Sequence, residues 1–363
     1  MRVISAETKK EMQVGGQAVI EGVMMRSPNS FTVSVRTPEG GIVIREDRWH
    51  SVWKKLKFLR WPFFRGMIVL IEALWNGISS LSFSAKWAGL EDDDKKDGED
   101  PKPENESKSA NEDDAKPVEP EQPISDFALV LTIMFSFTLA IGLFVALPHA
   151  LAALFGLEPD SWDFHALDGV IKLAILILYV WGISFIPDIN RVFQYHGAEH
   201  MSIFAWENKL PLTVESARKF KTHHPRCGTS FLFLVLMVSF IVFIIIFPFL
   251  PKLPEMPKIL RHLVYICIKI PLMAPIAGIS YELVRLAGKY STNPIMRAIS
   301  MPGLALQRIT TKTPTDDQLE IALLSLKKCL WREGILEDSG NDSVGQTCQY
   351  ENFDEASEAI AKG

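Results

Sequence analysis

The chain has 363 residues, 48% of them hydrophobic, and a formal net charge of -5. So weak a charge selects no polyelectrolyte partner, and nucleic-acid binding is not expected. Its four cysteines (Cys227, Cys267, Cys329 and Cys348) contain no C-x-x-C pair, so a structural disulfide framework is not expected either. The opening MRVISAETKKEMQVGG has no apolar core, so no cleavable signal peptide is expected.

Residues 1–60 read as a small β-rich cap. Phe31–Arg36 alternates like a strand, Pro38–Gly41 supplies turn chemistry, and Ile42–Arg45 can return as its partner. The glycines of GGQAVIEG make neither a G-x-G-x-x-G nor a Walker pattern, so they point to a turn or a close backbone approach. Residues 61–88 follow a 3.6-residue period. Phe63, Met67, Leu70, Ile71, Leu74 and Ile78 lie on one side, with Arg65, Glu72 and Asn76 on the other. That reads as an interfacial or re-entrant helix rather than a span, because Arg65 and Glu72 are costly in hydrocarbon. Residues 89–125, rich in Glu, Asp, Lys, Pro and Ser and without aromatics, read as a disordered acidic linker.

Four apolar runs in 126–290 have the length of membrane spans: Phe127–Leu147, Leu167–Ile186, Phe231–Leu250 and Leu263–Leu286. Asp168 and Lys172 lie near the start of the second, where a lysine can snorkel to the interface. The fold class expected is therefore an α-helical multi-pass membrane protein, about four transmembrane helices plus an interfacial helix, with a small N-terminal β-rich cytosolic cap. Lysines and arginines place the sides. They crowd before the first span, in residues 187–230 and after the fourth span, and are absent from 148–166. Only the 251–262 link, with Lys252, Lys258 and Arg261, breaks the pattern. Both termini and the 188–230 loop are thus expected in the cytoplasm, in a bacterial inner membrane. Residues 291–336 read as a cytosolic helical segment starting near Thr315 or Asp316, and 337–363 as a disordered tail.

The chemistry is concentrated in the 188–230 loop. His196 and His200 are four apart, so on a helix they share a face, as two metal ligands require. Glu199 lies beside them, in the order H-x-x-E-H, and can act as a general base. A catalytic zinc wants three protein ligands and one open position. Glu207, His223, His224, Cys227 and Glu282 are the candidates for the third, with His224 and Cys227 brought together by the turn at Pro225 and Gly228. Arg226 can hold a phosphate or carboxylate, and Glu282 has the alternative of an ion pair with Arg285. Asp188 and Asp168 are weaker candidates. A divalent metal, zinc first, is the cofactor this donor set fits.

Six segments together resemble a known family: VGGQAVIEGVMMRSPN from Val14, RGMIVLIEALWNG from Arg65, YHGAEHMSIFAWE from Tyr195, HPRCGTSF from His224, APIAGISYELVRLAGK from Ala274 and ALQRITTKTPTDDQLEIAL from Ala305. The family is that of the YqhQ-like bacterial membrane proteins, a domain of unknown function often labelled a predicted metal-dependent enzyme. The resemblance implies a multi-pass inner-membrane protein, and it draws Glu21 and Arg26 into a family motif. Two functions follow as expectations. One is a metal-dependent hydrolase in the membrane, with His196, His200 and either His224 or Cys227 holding Zn²⁺ and Glu199 or Glu207 as base. The other is a non-enzymatic scaffold, assembly factor or transport-related subunit with a structural or sensory metal site. The lipid bilayer is the partner both share, and membrane-protein partners are left open.

Overall fold

The computed structural model describes residues 14–49, 62–89, 126–253, 255–290, 293–339 and 346–362. Apart from Gly89, the acidic insert 89–125 lies outside the described residues. Four antiparallel strands open the chain: β1 (Gly15–Val19), β2 (Gly22–Arg26), β3 (Ser30–Arg36) and β4 (Ile42–Arg48). The β1–β2 turn consists of Ile20 and Glu21, and Glu21 takes a positive φ of 48°. A positive φ at the second of two turn residues is the type II requirement, one usually met by glycine.

The first three helices are α1 (Pro62–Trp87), α2 (Asp126–Ile141) and α3 (Leu147–Ala153), the last two joined by a π-helical turn at Gly142–Ala146. Then come α4 (Trp162–Ile183), α5 (Pro187–Glu207), α6 (Val214–Ala217) and α7 (Gly228–Ile246). The chain continues through α8 (Lys258–Lys289), α9 (Pro294–Thr310) and α10 (Asp316–Ser339), then β5 (Gln346–Tyr350) and α11 (Phe353–Lys362). The α10 start has a cap of the expected kind: Leu319 N–H donates to Thr315 O, and Gln318 Oε1 accepts from Thr315 N–H at 2.9 Å.

Strand alternation gives the sheet two apolar faces. Val23, Met25, Ile42 and Ile44 face a core shared with α10 (Leu319, Leu323, Leu326, Leu330) and with Tyr195 and Ala198 of α5. Val19, Met24, Phe31, Val33 and Val35 form the other core, closed by Phe83 and Trp87 of α1. Ions reinforce the α10 side. Buried Glu46 meets Lys328 and Arg332, each at 3.3 Å, and buried Glu333 accepts from Ser27 Oγ at 2.5 Å and Asn29 Nδ2 at 2.7 Å.

Two expectations are corrected here. The tail, read as disordered, contributes β5, which pairs with β4 from Ile42↔Tyr350 to Glu46↔Gln346, and α11, whose Ala356 and Ile360 enter the α10 core. Its strand is polar, so what holds it is the unpaired edge of β4, a backbone property that side-chain composition does not advertise. Second, the 188–230 loop is largely helical, because Pro187 at the first turn of α5 opens a helix that continues to Glu207.

Among the described residues, five helices are long and apolar enough to cross a membrane: Gly66–Trp87, Val130–Ala153, Trp162–Ile183, Gly228–Phe249 and Lys258–Lys289. The sequence reading counts four, and α1 is the addition. Glu72 of α1 is buried inside the protein instead of facing outward. Lys172 does not snorkel to an interface. It is 2% exposed and lies 3.6 Å from Asp168. The outward apolar surfaces of α2, with Leu131, Met134 and Phe135, suit contact with lipid tails.

Candidate metal centre

The site forms where the cap meets the helical bundle, and α5 is its backbone. Residues Tyr195 to Ile203 are buried, because one side of α5 packs on the sheet and α10 while the other meets the 310–312 segment. Gly197 makes that second approach possible. A Cβ there would lie 2.1 Å from the Lys312 carbonyl oxygen, and Lys312 N–H donates to Phe193 O at 2.9 Å. Any other residue would push the segment away from the helix.

The close approach orients the first histidine. His196 Nδ1–H donates to Thr310 O at 2.8 Å, and one turn on, His200 Nδ1–H donates to Thr222 O. A carbonyl can only accept, so both rings carry a proton on Nδ1, and in the neutral imidazole Nε2 is the acceptor atom. Those two Nε2 atoms converge on Cys227. His196 Nε2 is 3.1 Å from Cys227 Sγ, and the ring centroids of the two histidines are 4.5 Å apart. Ligand atoms of His196, His200 and Cys227 all lie within 4.8 Å of one another, and all three residues are buried. Cys227 stands at the N-cap position of α7. His200 Nε2 is buried, and its ring interacts with the same cysteine. This donor set fits a tetrahedral zinc-type ion: two imidazole nitrogens, one sulfur, and both histidines fixed by outer carbonyls.

The other sequence candidates divide around this triad. Glu199 is buried, and burial pushes its carboxyl above the usual range against the favourable influence of His196 and His224. It accepts from the Gly16 backbone N–H, and a Cβ on Gly16 would sit 2.8 Å from Glu199 Cγ. Close approach is therefore the reason for that glycine. His224 is not within the triad. Its Nδ1 accepts from Arg226 N–H at 3.2 Å, its Nε2–H faces Glu207 at 3.4 Å, and burial depresses it to about 4. Glu207 is exposed and ion-paired to Arg226. His223 is half-buried and lowered by that burial, with its Nε2 unpartnered.

The remaining candidates lie apart. Glu282 pairs with Arg285 at 3.6 Å on α8. Glu21 receives Arg191 Nε and Nη2, both at 2.5 Å, and Tyr195 OH at 3.3 Å, clamping the β1–β2 turn to α5. Arg26 lies over the Trp49 ring at 4.6 Å, and desolvation lowers it against the charge of Glu72. Sequence reasoning missed three positioning residues: Thr222, Thr310 and Gln307. Buried Gln307 holds the His224 strip by both ends, accepting from His224 N–H and donating to His224 O, each at 2.8 Å. Its signal was available: Gln307 and Thr310, at i and i+3, are polar residues on the side of α9 that also carries buried Gly303 and Leu306.

Apolar helices of membrane length under a sheet-and-helix cap, with a buried ligand-type triad at their junction, define the class as a membrane-type helical protein. The chain belongs to the family described as "Protein of unknown function (DUF1385)", which matches residues 61–332. It is 32% identical over 339 residues to the "Uncharacterized protein YqhQ" of Bacillus subtilis (strain 168), covering 91% of this chain and 96% of that protein. No solved structure matches it.

Proposed function

We propose that the protein is a bacterial inner-membrane metalloprotein whose centre, His196, His200 and Cys227, faces the cytoplasm, and that it acts as a metal-dependent hydrolase. The observation that carries the metal reading is the pair of Nδ1–carbonyl bonds, which leave two Nε2 lone pairs aimed at one cysteine. A zinc-type ion there would supply Lewis acidity and a water acidified toward neutrality. Glu199 would take the proton, since burial raises its carboxyl toward working pH. Arg226, held by Glu207, would meet an anionic group of a lipid-linked or peptide substrate.

Burial of the whole triad favours a second reading, a structural or sensory metal in a non-enzymatic scaffold. In that role the ion would tie α5 to α7, as closed sites do. The same protein discriminates the two. Full-length protein in detergent is expected to carry about one zinc per chain, lost in His196→Ala, His200→Ala and Cys227→Ala and kept in His224→Ala. Wild type free of stoichiometric metal sinks both readings. Glu199→Gln that keeps metal and fold but loses turnover of a peptide or lipid-ester panel supports the enzyme. Cap unfolding on chelation, with no turnover by wild type, supports the scaffold.

Packing together with charge bias supports this sidedness. Cap, α5 and α10 share one core, so they belong on one side of any bilayer. Only an even number of crossings between cap and α5 allows that. Phe83 and Trp87 hold the end of α1 on the cap sheet, which supports crossings by α2–α3, α4, α7 and α8 with α1 staying on the cap side.

A further inference from the structure

A second polar cluster lies at the opposite end of the bundle from the metal centre. Asp168 is six residues into α4, and Lys269 eleven into α8. At 1.5 Å per residue those are depths of about 9 and 16 Å from the helix starts. Lys269 Nζ donates to Asp168 Oδ2 at 2.9 Å and to His149 Nδ1 of α3 at 3.0 Å. Lys172 stands 3.6 Å from the same carboxylate. Asp168 and Lys269 are fully buried, and Asp168 Oδ1 has no partner. Among the described residues, α7 and the turn after it present rings rather than charges to the cluster, while Lys258, Arg261 and Glu158 act on His262 at its outer end. The rings of Phe243 and Phe247, from α7 and the turn after it, lie 5.4 and 5.9 Å from Lys269 Nζ. His165 of α4 is engaged with Pro159 O.

The cluster is not closed. His149 Nδ1 accepts from the lysine, so its Nε2–H donates onward to His262 Nδ1 at 3.0 Å. His262 is half-buried near the start of α8, its Nε2 enclosed without a partner, and its chain neighbour Arg261 lines a cleft of about 280 Å³ together with Glu158, Asp160, Ser161, Lys252 and Tyr265. A hydrogen-bonded chain thus runs from that face to Asp168: His262, His149, Lys269, Asp168. Two ammonium groups against one carboxylate leave the cluster one proton in excess of neutrality. Isolated charge in hydrocarbon costs several kcal/mol, and an apolar replacement of a buried ion cluster is often as stable, so such clusters persist for function.

We propose that Asp168, Lys172 and Lys269 form a proton-binding site that exchanges one proton with solution on the face opposite the metal centre, through His149 and His262. On release, the Lys269 ammonium gives a proton to His149 Nδ1 and becomes an amine. His149 passes its Nε2 proton to His262 Nδ1, and His262 gives its Nε2 proton to water entering from the cleft, since that nitrogen is enclosed in the resting structure. One proton leaves, no electrons move, and the cluster becomes neutral.

The test uses full-length protein in liposomes with ¹⁵Nζ-labelled lysine. One lysine resonance is expected to pass from ammonium to amine between about pH 5 and 9, and to be absent in Lys269→Arg. Asp168→Asn, which removes the carboxylate both lysines face, should move that transition to lower pH. His149→Phe should slow exchange of the signal with bulk pH by at least about tenfold. Lysines that all stay ammonium through pH 9 would mark a static ion pair and overturn the site. The wild-type titration decides this even where a variant fails to fold. An exchange rate unchanged in His149→Phe overturns the route.

Discussion

Gly197 is the residue on which the metal centre turns. Its missing side chain lets Lys312 O sit where a Cβ would be, and the same contact brings Thr310 O to His196. Gly197→Ala should therefore cost roughly 1–3 kcal/mol by overpacking. It should also weaken metal retention, because His196 loses its orienting carbonyl. A melting curve and a zinc titration read both effects, and an alanine variant with wild-type values for each would show that the 310–312 segment moves freely. Gly16 makes the matching contact from β1, so one glycine on each side encloses the His196–Glu199–His200 turn. The spacing of His196 and His200 was legible in the sequence. The choice of Cys227 over His224 was not, since both lie in one short turn and only the fold aims the sulfur at the imidazoles while His224 turns to Glu207.

At the scale of elements, β5 and α11 complete the cap. They seal the β4 edge and put Ala356 and Ile360 into the α10 core. A chain ending at Ser339 should lower the melting temperature of the cap and aggregate through the bared edge strand, with light scattering on heating as the readout. Equal stability of the truncated and full chains would contradict a packing role for the tail. The apolar runs, the β3–β4 pair and the start of α10 were all readable from period and cap chemistry. The tail strand was not, because its stability comes from backbone hydrogen bonds to a partner some 300 residues away in sequence.

At the scale of the whole molecule, the β4–β5 pairing joins residues 42–46 and 346–350 in one body and so constrains the path through a bilayer. Thr37→Cys and Glu355→Cys should label with a membrane-impermeant reagent only when the cytoplasmic face is opened, whereas Lys252→Cys should label in intact cells. Labelling of Thr37→Cys and Lys252→Cys from the same side would overturn the arrangement. The sequence alone determined the runs of membrane length, the positive flanks and the ligand chemistry of residues 196–227, because hydropathy and donor type are local properties. Only tertiary structure decided which donors meet, that Lys172 and Lys269 share Asp168 inside the bundle, and that α1 ends on the cap sheet. Those are contacts between residues distant in the chain, set by how helices and sheet pack rather than by the composition of any one segment.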